Sequence, residues 1–283
     1  MAVISDMNLA NPTWIKNYLY PYKTYSEVPE SLFKEINQNL NNVQSSDPLV
    51  TVVVIAWNEE VNILQCVATL ANQISTFPFE IVVVDNNSKD KTSEALSRLH
   101  VRHFLELAQG AGPARQKGQE NAIGKYILTA DADCFYPPSW VEEMTKTLIK
   151  ENTVCVYGRY SFISSSEYPR WKLFTLEKCK DLMAEIRHIK QPYFNTFGIS
   201  MGYIKELGLK IGFIKINRRG EDGQLCLELM KYGKIRQVRS AKARVWTGVR
   251  TLSKDGSFWT MFGSRIVVEL RRIKYNFVRR TKH

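Results

Sequence analysis

Two uninterrupted runs of apolar, mostly β-branched residues constrain the fold of this chain more than any other feature. They are "LVTVVVIAW" at residues 49–57 and "FEIVVVD" at residues 79–85. A run without polar alternation is typical of a strand covered on both faces, as in a parallel sheet. Between the two runs, apolar residues from Val61 to Ala68 recur at helical spacing. Strands that alternate with helices predict an open, mostly parallel α/β sheet with helices on both faces.

The same alternation continues toward a further strand. A third unit is predicted around "VRHFLEL", followed by a glycine-rich turn at residues 110–113 and a helix "ARQKGQENAIG" that leads into "KYILTADAD". Ligands of such sheets bind beyond the carboxyl ends of the strands. The sequence therefore predicts a binding site where polar residues follow the strands, namely at Asp85, Asn86, Asp131 and Asp133.

Composition and length narrow the class of protein. The 283 residues are 44% hydrophobic, which is enough for one large domain or two small ones. The N-terminus lacks the pattern of a signal peptide, and the longest apolar-rich run, residues 50–57, is too short for a membrane helix. Five scattered cysteines without Cys-x-x-Cys spacing favour neither a zinc site nor a disulfide framework. We therefore expect a cytoplasmic protein, either soluble or peripheral at the inner face of the membrane.

The net charge of +11 is compatible with nucleic acid, an anionic membrane or a negatively charged substrate. Between Ser264 and His283, seven Lys or Arg residues accompany the single acid Glu269. Apolar and basic residues fall mostly on opposite faces there, which predicts a basic amphipathic helix. Such a helix can lie on an anionic membrane or pack on the domain with a solvated basic face, and the sequence leaves both alternatives open.

Asp131 and Asp133 form the most informative pair. In isolation, this Asp-x-Asp could be a turn before Pro137 and Pro138. Two adjacent carboxylates also repel each other unless a cation lies between them, and they can bind a hard divalent ion that also takes diphosphate oxygens. Asp85, Asn86 and Arg115 could bind a ribose or base nearby.

Five segments in order resemble the inverting family 2 glycosyltransferases, which have the GT-A nucleotide-sugar-binding fold. The resemblance covers about residues 50 to 235. It is carried by "IAWNE" before the first helix, "VDNNSKDKT" after the second strand, Gly110 to Gly118 with Ala114-Arg115-Gln116, "AIGKYI" leading into Asp131-Ala132-Asp133, and Glu221-Asp222 near the start of a late helix. Several ordered motifs are far more specific than one Asp-x-Asp.

The resemblance implies a role for each site residue. The nucleotide would be bound by Trp57, Glu59, Asp85, Asn86, Arg115 and Asp131. Asp131 and Asp133 would hold Mn²⁺ or Mg²⁺, and Asp222 would be the general base. Ile55, Trp57, Asn86 and Gln116 depart from the residues usual in the family, so UDP-, GDP- and dTDP-sugars all stay open as donors.

The predicted domains are an N-terminal arm at 1–47, a glycosyltransferase domain at 48–245 and a basic, helical segment at 246–283. A helix is expected from Pro29 to Leu40 in the arm. "NTFGISMGYIKELG" resembles the acceptor-side segment of the family, and a plain loop and helix start is the alternative. The expected activity is sugar transfer to a hydroxyl of a glycan or lipid-linked acceptor, in cell-surface glycan or glycolipid assembly.

Two alternatives compete with this interpretation. A sugar nucleotidyltransferase would resemble a glycine-rich signature with a lysine after the first strand, whereas this strand ends in Trp57-Asn58-Glu59. A non-catalytic basic protein that binds nucleic acid or membrane would explain the charge but not the ordered acidic motifs. We do not expect nucleic acid as a partner, because the basic residues are not interleaved with stacking aromatics on one strand face.

Overall fold

The computed structural model describes residues 10–214 and 220–250. The strands are β1 (Val50–Ala56), β2 (Phe79–Asp85), β3 (Arg102–Leu105), β4 (Tyr126–Asp131), β5 (Cys134–Phe135), β6 (Thr153–Tyr157), β7 (Tyr160–Phe162), β8 (Met201–Ile204), β9 (Lys234–Gln237) and β10 (Val245–Thr247). The helices are α1 (Glu30–Val43), α2 (Asn62–Ala71), α3 (Thr92–Ser97), α4 (Ala111–Asn121), α5 (Trp140–Leu148), α6 (Arg170–His188), α7 (Lys205–Ile211) and α8 (Glu221–Leu229).

A seven-stranded sheet forms the centre of the protein, in the order β3-β2-β1-β4-β8-β6-β9. Strand β8 is antiparallel to both of its neighbours, and all other neighbouring pairs are parallel. The two β-branched runs lie side by side as β1 and β2, where almost every residue is buried. The predicted α/β class with a mostly parallel sheet is confirmed.

Helices cover both faces of the sheet, because residues of one strand alternate between two cores. Val52 and Val54 of β1 share a core with apolar residues of α1, α2 and α5. Val53 points the other way, into a core with residues of α7 and α8. Helix α4 lies on this second face, where a Cβ at Gly118 would come within 2.2 Å of the Val53 Cγ1 atom. Glycine therefore lets α4 approach β1 closely.

A second, three-stranded sheet has the order β5-β10-β7. Strand β10 is antiparallel to β5 and parallel to β7. In this sheet, β10 pairs with β5, which directly follows Asp133. The pairing therefore holds the segment beyond the end of β4 in place. Residues 246 and 247, assigned from the sequence to the basic segment, thus belong to a strand, and the predicted basic helix lies outside the described residues.

The N-terminal part packs on the main core. Helix α1 begins and ends close to the predicted helix, and its Leu32, Phe33, Ile36 and Leu40 are buried as the sequence pattern indicates. Short 3₁₀ helices precede it at Thr13–Tyr18 and Tyr25–Glu27. Within 10–214 and 220–250, each helix falls short of the length or apolarity that crossing a membrane requires.

Candidate functional site

The parallel register brings the predicted site residues to one edge of the sheet. Ala56 of β1 lies opposite Asp85 of β2, and Ile55 lies opposite Asp131 of β4. A cavity of about 1110 Å³ opens beyond these strand ends. Of the predicted site residues, the cavity is lined by Trp57, Glu59, Asn86, Arg115, Asp131, Asp133 and Asp222.

Asp85 and Asn86 hold the loops around the cavity. Asp85 is buried, and its carboxylate accepts a hydrogen bond from the Ser88 N–H at 3.0 Å. The Asn86 amide donates to the carbonyl oxygens of Glu106 and Ala108, and its Oδ1 accepts from the Gly110 N–H at 2.8 Å. Asn86 lines the cavity, whereas Asp85 does not. Their predicted roles in nucleoside binding stay predictions.

Trp57 and Glu59 follow β1 on either side of a sharp turn. Asn58 between them has a φ of 54°, a left-handed conformation that asparagine tolerates better than most residues. The Trp57 side chain is 56% exposed at the cavity, where its ring is available for stacking. Glu59 is buried and accepts a hydrogen bond from Asn62 Nδ2 at 2.5 Å. Burial raises the pKa of Glu59, although hydrogen bonds from Arg250 and Asn62 oppose that shift.

A buried tyrosine fixes the turn that carries the two aspartates. The Asp131 N–H donates to the Tyr136 hydroxyl at 2.8 Å, and that hydroxyl donates to the Ile199 carbonyl at 3.1 Å. The Asp131 and Asp133 side chains remain about one-third exposed, at 32% and 31%. Both carboxylates thus reach the cavity from a rigid turn.

Arg115 lies at the centre of the site, almost completely buried in α4. Its Nη2 donates to Asp131 Oδ1 at 2.9 Å, and its Nη1 donates to Glu221. Nη1 also lies 2.7 Å from Asp222 Oδ1. One guanidinium therefore faces three carboxylates, and we call these four residues the Arg115 cluster. Burial alone would lower the pKa of Arg115, but the three carboxylates raise it above its ordinary value.

Asp222 is the buried carboxylate with the most strongly altered acidity. Its Oδ2 accepts a hydrogen bond from the Gly198 N–H at 2.8 Å. Its Oδ1 forms only the ion pair with Arg115 and accepts no hydrogen bond from the part of the chain that the structure describes. Burial, opposed by Arg115 but reinforced by the charges of Glu221 and Asp131, raises the pKa of Asp222 to about 7. A single cation does not balance three carboxylates, and this excess of negative charge favours the protonated form of Asp222.

Gly198 lies directly against the Arg115 guanidinium. A Cβ at this position would come within 1.8 Å of Arg115 Nη2. The glycine therefore has two functions, since it leaves room for the guanidinium and its N–H holds Asp222. Gly198 lies in "NTFGISMGYIKELG", for which the sequence left an acceptor-side segment and a plain loop both open, and it gave no sign of this contact.

Arg250 reaches the site from the loop after β10. Its guanidinium donates to Asp133 Oδ2 at 3.0 Å and to Glu59. A cation thus already lies between a predicted metal ligand and a predicted nucleotide-binding residue. Sequence reasoning missed Arg250 and the pairing role of Glu221, and only the Glu-Asp motif offered a signal for the latter.

The carboxylate pair fits a divalent ion that is shared with a substrate. In 10–214 and 220–250, no three His, Cys, Asp or Glu side chains converge as a complete metal site. Asp131 and Asp133 supply oxygen ligands at an open cavity, and Mg²⁺ is commonly bound by one or two carboxylates together with substrate phosphates. The Arg250 guanidinium on Asp133 shows that this carboxylate accepts a cationic partner.

Comparison with known proteins decides the family. Residues 51–218 match the model of glycosyl transferase family 2. The chain belongs to glycosyl transferase family 2. This membership confirms the resemblance drawn from the five motifs, and it disfavours both the nucleotidyltransferase and the non-catalytic alternatives.

Several relatives and solved structures are similar to this chain. It is 22% identical over 202 residues to a dolichol-phosphate mannosyltransferase of Pyrococcus furiosus, covering 67% of this chain and 54% of the relative. It is 31% identical over 127 residues to the glycosyltransferase AglE of Haloferax volcanii, covering 42% of this chain and 41% of the relative. The chain spans about half the length of the curated relatives it matches.

The fold itself also matches solved structures. The mannosyltransferase PcManGT of Pyrobaculum calidifontis, in complex with GDP-Man and Mn²⁺, aligns with a TM-score of 0.58 at 16% identity, over 88% of this chain and 73% of its own. S. aureus TarS 1-349 in complex with UDP aligns with a TM-score of 0.52 at 19% identity, over 71% of this chain and 60% of its own. These similarities confirm the GT-A type of fold.

Proposed function

We propose that this glycosyltransferase moves a sugar from a nucleotide-sugar donor to an acceptor hydroxyl, with inversion at the anomeric carbon and with a divalent cation. The observation that carries the proposal is the Arg115 cluster, which joins Asp131 to Asp222 across one cavity. It links the predicted diphosphate side of the site to the predicted base. The GDP-Man and Mn²⁺ bound to PcManGT and the UDP bound to TarS support a donor of this class.

Asp133, together with Asp131, would hold Mn²⁺ or Mg²⁺. The bound ion would neutralise the charge that grows on the leaving nucleoside diphosphate, so a protein acid is not needed there. Arg250 must then give up its contact with Asp133 or share it with the diphosphate. Trp57 and Glu59, which also line the cavity, would bind the nucleoside, the indole by stacking and the carboxylate by accepting hydrogen bonds.

Asp222 would act as the general base. The acceptor hydroxyl oxygen forms a bond to the anomeric carbon as the bond from that carbon to the diphosphate oxygen breaks, and the hydroxyl proton passes to the Asp222 carboxylate. One displacement inverts the configuration. Each oxygen has a partner in this structure, the Gly198 N–H at Oδ2 and the Arg115 guanidinium at Oδ1, so the acceptor hydroxyl would have to replace one of these contacts. A base with a pKa near the working pH combines a useful deprotonated fraction with useful basicity.

The acceptor is proposed to be a glycan or a lipid-linked sugar at the inner face of the cytoplasmic membrane. The support is the basic chain and an apolar rim around the cavity, to which Tyr193, Phe194, Phe197 and Leu227 contribute. The choice among UDP-, GDP- and dTDP-sugars stays open.

Calorimetry with UDP, GDP, dTDP and CMP, each with and without Mn²⁺, tests the donor site. We expect one nucleotide to bind in a metal-dependent way, and Asp133→Asn to weaken this binding by at least tenfold. Asp47→Asn is the matched control, since Asp47 is exposed and outside the cavity lining. Equal binding of all nucleotides without metal, or equal binding by Asp133→Asn, would contradict the proposal. NMR of the anomeric proton in the product then tests inversion.

A further inference from the structure

Helix α6 has an outward face that the proposed activity does not use. Six residues at spacings of four, three, four, four and three form a straight row along this helix and its end, since these spacings return to the same side of a helix. We call this row the outer stripe, and it consists of Trp171, Thr175, Lys178, Leu182, Ile186 and Ile189.

The outer stripe is strongly apolar for an exposed surface. Trp171 is 54% exposed, Leu182 64% and Ile189 78%. Ile186 on the same stripe is also exposed. Single apolar residues on a surface need no explanation, but four in one row along about 28 Å of helix indicate an interaction surface.

The three acids of α6 all pair with arginines on the inner side of the helix. Glu177 pairs with Arg170 of the same helix at 2.5 Å, Asp181 with Arg159 and Arg244, and Glu185 with Arg159 and Arg239. The outer stripe itself carries Lys178, and Lys172 follows Trp171 in sequence. The ammonium of Lys172 lies 5.6 Å from the Trp171 ring centre. The outward side therefore combines apolar side chains with positive charge.

We propose that the outer stripe docks this protein on an anionic membrane surface. A helix with apolar residues and a tryptophan in one row, bordered by lysines, is suited to lie in the interface, with its apolar side chains among the acyl chains and its ammonium groups at the phosphates. The inference goes beyond the proposed activity, because vesicle binding does not require sugar transfer.

Charge disfavours the other occupants of this face. Residues 251–283 contain eight Lys or Arg against two acids, so that segment has the same sign of charge as the lysines of the stripe. A second copy would likewise place lysine against lysine. An anionic lipid surface is the partner of opposite charge.

The outer stripe ends beside the cavity. The 3₁₀ turn Pro192–Asn195 follows α6 directly, and its Tyr193 and Phe194 line the cavity together with Arg187 of the helix. Docking through α6 would thus hold the apolar rim of the cavity close to the membrane.

Flotation of the full chain with vesicles tests this docking surface. We expect the protein to float with vesicles of phosphatidylglycerol and phosphatidylcholine, and to stay at the bottom with phosphatidylcholine alone. The variant Leu182→Gln/Ile186→Gln/Ile189→Gln should lose at least fivefold in bound fraction, since glutamine keeps the helix but removes the apolar surface. Ile74→Gln/Leu105→Gln is the matched control, because these residues are as exposed but lie away from α6, and it should float like the wild type.

A second readout separates the stripe from residues 251–283. Brominated phosphatidylglycerol should quench tryptophan fluorescence in the wild type, and Trp171→Phe should lose part of this quenching while the bound fraction stays the same. Equal flotation of the triple variant and the wild type would overturn the proposal in favour of another membrane contact. A wild-type dimer that the triple variant converts to a monomer, without vesicle binding by either, would assign the face to a second copy instead. We expect nucleotide binding to be the same in the wild type and in these variants, so failure here is distinct from failure of the proposed activity.

Discussion

Two groups of ion-paired side chains in this protein differ in the number of arginines relative to the number of acids. In the Arg115 cluster, one guanidinium faces three carboxylates, and the pKa of Asp222 rises to about 7. On the inner side of α6, four arginines hold three acids, and Arg239 is the largest influence that lowers the pKa of Glu185. The second group has enough cations for every acid, which suits a structural role. The deficit in the first leaves a carboxylate free to exchange a proton, which suits catalysis.

Asp222→Asn should have the largest effect on activity. Loss of a general base costs about 10²–10⁴-fold in kcat, while donor affinity should change little because Asp222 is assigned to the acceptor hydroxyl. Steady-state kinetics and nucleotide calorimetry check both parts. Asp181→Asn in the balanced group is the matched control. It should lower stability by about 1–3 kcal/mol, because an arginine loses its partner, and leave kcat of the folded enzyme unchanged. Similar losses of kcat in the two variants would contradict the distinction between a catalytic Arg115 cluster and a structural group on α6.

Arg115→Met should have the largest effect on stability. Removing one partner of a buried ion pair costs about 3–5 kcal/mol, and here three carboxylates lose their shared cation. Low pH should partly restore the stability of this variant, since protonation of the carboxylates removes their mutual repulsion. Arg170→Met leaves only Glu177 without its cation and should lose less. Denaturant unfolding at pH 5 and pH 8 compares the two variants. We expect the free energy of unfolding to depend more steeply on pH for Arg115→Met than for Arg170→Met.

Gly198→Ala tests the packing around Arg115. The new methyl group would collide with the guanidinium, so we expect a loss of about tenfold to a hundredfold in kcat, in line with the cost of misplacing catalytic groups by about 1 Å. Gly248→Ala is the control, because no heavy atom lies within 4 Å of a Cβ there. A crystal structure of Gly198→Ala with Arg115 unmoved, or wild-type kcat, would show that this close contact is unimportant.

Stability should depend on pH through Asp222. Between the ordinary carboxyl pKa and about 7, the folded protein keeps a proton that the unfolded chain releases, so the free energy of unfolding falls as pH rises through this window. Asp222→Asn carries no charge to bury. It should therefore melt at a higher temperature than the wild type at pH 8, with the difference shrinking toward pH 4. Thermal melts across this range measure the effect.

Arg250→Met should give the smallest change. Without the guanidinium on Asp133, Mn²⁺ should bind the nucleotide-free protein a few-fold more tightly, since one competing cation is gone. Calorimetry with Mn²⁺ alone measures the dissociation constant of the ion. Arg102→Met is a control at an arginine whose partner, Glu80, lies away from the cavity. Weaker Mn²⁺ binding by Arg250→Met would mean that Arg250 supports the metal site and does not compete for it.

The local sequence predicts strands β1 and β2 better than strands β5 and β10 of the second sheet. β1 and β2 are uninterrupted β-branched runs, and the polar residues after them follow from the chain direction of a parallel sheet. β5 and β10 have two and three residues, too few to show any period. Their pairing depends on residues more than 100 positions apart, and no local pattern records it.

The candidate site shows the same limit. The motifs singled out Arg115 and Asp222, and the assignment of Arg115 to nucleotide binding stays a prediction. Its carboxylate partners Asp131 and Glu221 lie 16 and 106 positions away, so its burial among acids appears only in the folded chain. The dependence of Gly198 on Arg115 is equally non-local. The sequence motifs identify single residues, whereas the contacts that join these residues into a charged cluster form only in the folded chain.

The pH dependence of kcat in the wild type and in Glu221→Gln tests the central claim most directly. The wild type should show an acidic limb with a midpoint near pH 7, as Asp222 loses its proton and becomes a base. Glu221→Gln removes one negative charge from the Arg115 cluster, so the Asp222 carboxylate is stabilised and the limb should move to lower pH. A limb that stays in place, or moves to higher pH, would show that the excess of carboxylates around Arg115 does not set the acidity of the catalytic base.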